Sequence, residues 1–226
     1  MPTDIARAAA QLTDPRIRGV LAKSLAGTLI IFVLLWVGIG YLLAHLVLSQ
    51  AWLHWIIEIL GGLATLVLSW LLFPGIAGIV VGFFLDSVAE AVEARHYPGL
   101  PAARPQPLAE LLREGLRFAG VSILLNLVAL PVYLLIPAVN LFVFYGLNGY
   151  LLSREYFELV AVRRLAPSEA RRLRRTYPGQ ILLMGVLIAF LLTVPVVNLI
   201  APVFATALMV HVYHRLAGTP RGRRAP

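Results

Sequence analysis

SLAGTLIIFVLLWVGIGYLLAHLVL, residues 24–48, is followed after Ser49-Gln50-Ala51 by WLHWIIEILGGLATLVLSWLLF, residues 52–73. No lysine or arginine occurs between Lys23 and Arg95. At 1.5 Å per residue the two runs make helices of about 37 and 33 Å. The hydrocarbon core of a bilayer is about 30 Å thick, so each run is long enough to cross it. Two such runs joined by three residues read as a transmembrane hairpin. Trp52 and Trp55, beside the turn, suit an aromatic belt at the outer interface. Pro74-Gly75 interrupts the second helix, because proline lacks the N–H and clashes with the preceding turn. The helix is expected to resume over 82–95 and to stop at His96-Tyr97-Pro98-Gly99.

Composition agrees. The chain is 60% hydrophobic and 13% charged, where a soluble domain is about 45–50% apolar and about 25% charged. Two more stretches free of lysine and arginine follow, 118–153 and 180–214. Every block begins and ends at a basic segment, so an even number of crossings or dips returns the chain to one face each time. All 19 Lys and Arg residues then lie on that face, which the positive-inside rule makes cytoplasmic. The expectation is an all-α integral membrane protein with both termini in the cytoplasm. The net charge of +8 sits beside apolar runs, which points to anionic lipid headgroups or a small anion rather than nucleic acid. The chain has no cysteine, so disulfides and thiolate metal sites are excluded. Residues 1–19 lack an uninterrupted apolar core, so the first long run is expected to be retained rather than cleaved as a signal peptide.

The later blocks share an octet. Leu134-Leu135-Ile136-Pro137-Ala138-Val139-Asn140-Leu141 is matched by Leu192-Thr193-Val194-Pro195-Val196-Val197-Asn198-Leu199. Proline ends one helix and asparagine is a good N-cap for the next, so the pattern predicts a tight helix–P-x-x-N–helix hairpin used twice. The arms read as short: 181–194 makes about 21 Å of helix and 141–152 about 18 Å. Such hairpins dip into the bilayer and return, or cross only with local thinning. Irregular backbone at that depth must be buried in protein or line a wet cavity. The expected layout is a single membrane domain over 1–226. It comprises a basic N-terminus (1–23), a long hairpin (24–95), a linker with an interfacial helix starting at Pro107 (96–117), a hairpin (118–164), a basic loop (165–179), a second short hairpin (180–215) and a basic tail (216–226).

Several residues can carry chemistry. Asp14-Pro15-Arg16-Ile17-Arg18-Gly19 directly precedes the first long helix, and two arginines at i and i+2 with backbone N–H groups can hold a tetrahedral dianion or act only as a topology anchor. Asn140 and Asn198 open helices whose positive ends can face an anion, or simply satisfy the hairpin backbone. Asp86, Glu90 and Glu93 share one helical face at i, i+4 and i+7, either to bind a cation or gate an anion path, or to pair with nearby arginines. Arg171, Arg174 and Arg175 form a basic face suited to lipid headgroups. Arg154 and Glu158 stand at i, i+4 for a local ion pair. Glu58, an acid inside an apolar run with His54 at i−4, is a functional candidate by its cost. Histidines 45, 54, 96, 211 and 214 look scattered. No G-x-S-x-G, P-loop, H-E-x-x-H or paired-cysteine motif occurs, so neither an enzyme nor a cofactor is expected. The candidate pathway residues are Asn140, Asn198, Glu58, Glu90 and Arg95.

These residues carry a resemblance. Pro15–Arg18 before the first helix, Val88-Ala89-Glu90-Ala91-Val92-Glu93-Ala94-Arg95, and the tip Pro195-Val196-Val197-Asn198-Leu199 followed by Pro202 resemble the CysZ sulfate-permease group, within the broader family named for etoposide-induced protein 2.4. Asn148-Gly149-Tyr150 and Arg154-Glu155-Tyr156-Phe157-Glu158 look like the bacterial branch of that family. The likeness runs over about residues 13–215. It implies two long transmembrane helices, two partly penetrating hairpins, homo-oligomers, and sulfate uptake across the bacterial inner membrane. It also implies an anion site at Arg16, Ile17, Arg18 and Gly19. Arg18 matches the first of the family's adjacent arginines. Gly19 stands where the second would be, with Arg16 as the substitute from the other side of Ile17. The alternative is a non-transporting member that shapes or tethers the bilayer.

Overall fold

A computed structural model of the chain describes residues 1–44, 80, 82 and 84–219. Among these residues the elements are helical, with no strand. They are α1 (Pro2–Gln11), α2 (Pro15–Ala44), α3 (Leu85–His96), α4 (Leu108–Leu135), a 3-10 turn (Pro137–Val139), α5 (Asn140–Ala161), α6 (Pro167–Thr176), α7 (Pro178–Thr193) and α8 (Val197–Ala217). The expected second long helix lies outside the described residues, with Trp52, His54, Trp55, Glu58, the Pro74-Gly75 break and the arginines of the tail. The chain divides into two compact units, Met1–Ile17 with Leu85–Pro226, and Arg18–Phe84. The boundary falls inside α2.

In the Arg18–Phe84 unit, α2 buries a narrow polar stripe. Ser24 and Thr28 are buried, and Thr28 Oγ1 donates to the Ser24 carbonyl at 2.8 Å. A Cβ on Gly27 would stand 3.3 Å from Val80 Cγ1. Small residues let membrane helices approach closely, since lipid offers apolar side chains no drive to hide from it. Leu29, Ile30, Leu34 and Val37, on the other faces, are exposed.

In the larger unit, α8 is the central element. It is apolar all round, and a helix of that kind is stable only when covered on every side or immersed in lipid. Its residues from Ala201 to Tyr213 are all buried, with α1, α3, α5 and α7 packed around it. Helix α4 is the opposite case. Only Ala129 is buried along its 28 residues, and its main neighbour is α5. With α2, these are the three described helices long and apolar enough to cross a membrane.

Two expectations change here. The separate interfacial helix at 107–117 does not exist as an element. Pro107 precedes the first helical turn, and α4 then runs unbroken to Leu135. Nothing in 108–130 stops it: its lone glycines, Gly115 and Gly120, cost only about 1 kcal/mol each, and proline first appears at 131. The arm expected at 141–152 is also longer. Helix α5 has 22 residues, about 33 Å, because Arg154 and Glu158, 3.6 Å apart at i, i+4, continue the helix rather than end it. Only α7 remains short, with 16 residues and about 24 Å.

α5 and α7 pack through small residues. A Cβ on Gly185 would collide with the Gly149 carbonyl oxygen and stand 2.5 Å from Ser153 Cβ. Gly149 and Ser153 are four apart on α5, as Gly185 and Ala189 are on α7. Both helices therefore use the small-xxx-small spacing that brings membrane helices into backbone contact.

Candidate functional site

α1 ends at Gln11 and α2 begins at Pro15. The turn between them places Asp14 where an N-cap stands. Its Oδ1 accepts the Arg16 backbone N–H at 2.8 Å, and Pro15, with no N–H to satisfy, occupies the first helical position. Its Oδ2 is paired with Arg95, in the last turn of α3. The hydrogen bond from Arg95, followed by that from the Arg16 N–H, holds the Asp14 carboxyl below its ordinary range. Ile17 is wholly buried and anchors the turn, while Arg16 and Arg18 are exposed. A Cβ on Gly19 would meet no atom within 4 Å, so this glycine is not required by packing. The turn thus clasps a carboxylate with a backbone N–H and a guanidinium. The chain itself supplies that anion.

The acidic face of α3 divides. Glu93 is buried and accepts from Arg164 Nη2 at 2.7 Å, Arg164 Nε at 3.0 Å, Arg163 Nη2 at 3.3 Å and His214 Nε2 at 3.3 Å. Asp86 pairs with Arg163. Burial alone would raise the Glu93 pKa. The hydrogen bonds from His214 and Arg164 and the charges of Arg163 and Arg164 outweigh it and hold the carboxyl at about 2. Glu90 is exposed and forms no ion pair among the described residues. Structural pairing, one of the two readings of this face, therefore holds for Asp86 and Glu93.

Of the five histidines, His45 and His54 lie outside the described residues, and the other three are not scattered. His96, His211 and His214 gather around Tyr97, where α1, α3 and α8 meet. The Tyr97 hydroxyl lies 2.9 Å from His211 Nδ1, and its ring stacks on His214 at 4.0 Å. His96 and His211 meet edge to face at 4.9 Å. His96 Nε2 is 2.5 Å from Gln11 Oε1. Burial, then the nearby Arg95 and Arg7, lowers the His96 pKa. The signal for this hub was present in the sequence: His211, His214 and Arg215 fall at i, i+3 and i+4, one face of α8. It was hidden because its partners are more than 100 residues away.

The basic face of α6 also differs from expectation. Arg171 is held by Glu114 at 2.9 Å and Arg174 by Glu158 at 3.1 Å. These two arginines are neutralised within the chain, because α6 packs its Ala170 and Leu173 against the protein and carries them inward.

Both P-x-x-N octets do turn the chain between helices, but neither asparagine is an N-cap. Asn140 is the first residue of α5, and its Nδ2 donates backward to the Tyr133 carbonyl of α4 at 3.0 Å. It closes the preceding helix rather than opening the next. Helix α8 begins one residue earlier, at Val197, behind Val196 with φ 68°. The Val197 N–H donates to the Pro195 carbonyl at 2.8 Å, which makes Val196 the centre of a γ-turn with positive φ. No described hydrogen bond links Asn140 with Asn198.

Residues 4–202 match the family described as sulfate transporter CysZ/etoposide-induced protein 2.4. The chain belongs to this family. A search of curated proteins returns no match. Membership, with three described helices apolar enough to span, makes it a membrane protein. The family match covers the Asp14 turn, α3 and both hairpin tips.

Proposed function

We propose that this chain is an inner-membrane anion permease or channel, with sulfate as the anion and both termini in the cytoplasm. One observation carries the reading. At the turn where the sequence reading expects an anion, a carboxylate is held by the Arg16 N–H and by Arg95. That carboxylate stands in for an oxyanion oxygen of the substrate. Arg16 and Arg18, exposed and without an acid partner among the described residues, supply further guanidinium donors. Sulfate, a dianion, displaces Asp14 from this clasp. The proposed protein works as a homo-oligomer, driven by gradients, with no cofactor and no enzymatic step.

Radiolabelled sulfate flux into proteoliposomes, with phosphate and chloride as controls, tests the reading. A charge-assisted hydrogen bond contributes about 1.5–3 kcal/mol. Arg18→Ala should therefore weaken sulfate binding about ten- to a hundredfold. Arg18→Lys should rescue part of it, because an ammonium cannot reproduce the planar fork. Sulfate flux no greater than that of empty liposomes would sink the proposal. The second reading, a protein that shapes or tethers the bilayer, is favoured by one feature: α7 is too short to cross, and the tip beyond it exposes Val196. Vesicle deformation without flux would select it.

A further inference from the structure

α6 turns 95° from α7 across the single residue Tyr177. The two helices cannot both lie along a bilayer normal. Helix α7 contains no charged residue, whereas α6 contains Glu169, Arg171, Arg172, Arg174 and Arg175. Charges are costly in hydrocarbon and belong at the interface. With α7 directed into the bilayer, α6 therefore lies in the plane of the leaflet.

The arginines of α6 are used differently on its two sides. Arg171 and Arg174 are spent on Glu114 and Glu158. Arg172 and Arg175, one turn apart, are exposed and have no acid partner among the described residues. Arg113 on α4 is likewise exposed and unpaired among them. It precedes Glu114, which Arg171 holds, so the two basic segments are tied together. Beside Arg113, Leu112 and Leu116 are exposed at 59% and 74%.

We propose that Arg113, Arg172 and Arg175 form a docking surface for the phosphate groups of anionic phospholipids, with α6 lying flat in the headgroup layer. Charge complementarity selects a phosphate. The exposed leucines flanking Arg113 select a phosphate that carries acyl chains, since a free ion has no use for them. The surface is independent of the anion clasp at Asp14. It also sets depth. Helix α7 starts in the headgroup layer and, at about 24 Å, ends inside a core of about 30 Å.

The test uses the full-length protein in neutral detergent, titrated with phosphatidylglycerol or phosphatidylcholine of identical chains and read by native mass spectrometry and thermal unfolding. Phosphatidylglycerol should bind more tightly and raise the unfolding temperature more. A juxtamembrane arginine contributes about fivefold in affinity. The Arg113→Gln/Arg172→Gln/Arg175→Gln variant should therefore bind phosphatidylglycerol on the order of a hundredfold more weakly, with phosphatidylcholine unchanged. Lysine at 172 and 175 should preserve most of the preference, because phosphate also accepts a point charge. The Arg172→Gln/Arg175→Gln pair, which leaves α4 untouched, serves if the triple variant unfolds. Equal retention of phosphatidylglycerol by wild type and variant would overturn the proposal. So would protection by free phosphate or sulfate at the same concentration as the lipid, which would mark a site for a soluble anion.

Discussion

The two hairpins are built on one octet and end up in opposite surroundings. In the first, α4 is exposed along nearly its whole length and α5 carries the contacts. In the second, α8 is sheathed on every side. Both α4 and α8 are apolar enough to span, so hydropathy does not distinguish them. Their polar groups do. Asn126 of α4 is exposed, and the one side-chain hydrogen bond described for it runs from its Nδ2 to the Ser122 carbonyl of its own helix. α8 carries Thr206 and His211 fully buried, with His211 at Tyr97 and His214 at Glu93 on another element. Where water offers no hydrophobic drive between helices, embedded polar groups and small residues decide which helix goes inside.

The largest expected effect breaks the ion cluster that ties α3 to the end of the first hairpin, at Arg163 and Arg164, and to α8 of the second, at His214. Glu93→Gln leaves the half-buried Arg164 without its acid partner and the buried Arg163 with Asp86 alone. Removing one partner of a buried ion pair costs about 3–5 kcal/mol, and thermal unfolding in detergent reads it. The same group sets an acid limit. Its carboxyl titrates at about 2 when folded, against an ordinary value of 4.5. The folded state therefore binds this proton less readily than the unfolded state does. The stabilisation is fully present above about pH 4.5 and is lost as pH falls towards 2. In Glu93→Gln that component of the acid transition should vanish. An unchanged acid midpoint would mean that another carboxylate governs it.

Next is the seam between the hairpins. Gly185→Leu forces a side chain into the Gly149 backbone, which cannot yield as a flexible side chain would. Overpacking of this kind costs about 3 kcal/mol. Gly120→Leu on α4, where a Cβ meets nothing within 4 Å, should instead stabilise the helix by up to about 1 kcal/mol, the propensity cost of the glycine. Equal tolerance at the two positions would refute the α5–α7 contact.

Much of this was legible from residues. Proline placement predicted both turns, the His96–Gly99 stop and the linker after it. The i, i+4 spacing predicted Arg154 with Glu158. What escaped was long-range. Gly149 and Gly185 read as two ordinary glycines until α5 and α7 are laid together. Glu93 finds Arg163, Arg164 and His214 only through tertiary folding. The N-cap reading of the asparagines failed, because Pro-x-x-Asn marks a turn without saying which helix the amide serves; the other reading, an amide that satisfies the hairpin backbone, holds for Asn140. At the turn between α1 and α2, the sequence showed the arginines but not that Asp14 is held there, since Arg95 arrives from 81 residues away.

The tips themselves should differ when probed in parallel. Val196 holds φ 68°, a conformation that costs a β-branched residue about 1–3 kcal/mol. Val196→Gly should relieve that strain and stabilise the protein by about 1 kcal/mol after the entropy of the new glycine is deducted. Ala138, at the equivalent position, has no positive φ, so Ala138→Gly should be slightly destabilising. The same sign at both sites would show that the two turns share one geometry.

The smallest expected difference concerns the asparagines. Asn140 Nδ2 supplies the Tyr133 carbonyl in the last turn of α4, a hydrogen bond that contributes about 1 kcal/mol net. Its Oδ1 is buried with no partner, so Asn140→Ala removes an unsatisfied acceptor along with the bond, and the loss should stay near or below about 1 kcal/mol. Asn140→Asp is the sharper probe. It turns the donor into an acceptor facing a carbonyl and should be worse than alanine, although aspartate and asparagine are equally good caps. At Asn198, no described side-chain bond exists, and both substitutions should fall within about 0.5 kcal/mol of wild type. If Asn140→Asp is instead as harmless as Asn198→Asp, the amide is not closing α4, and its place at the start of α5 regains the capping role that the sequence pattern suggests.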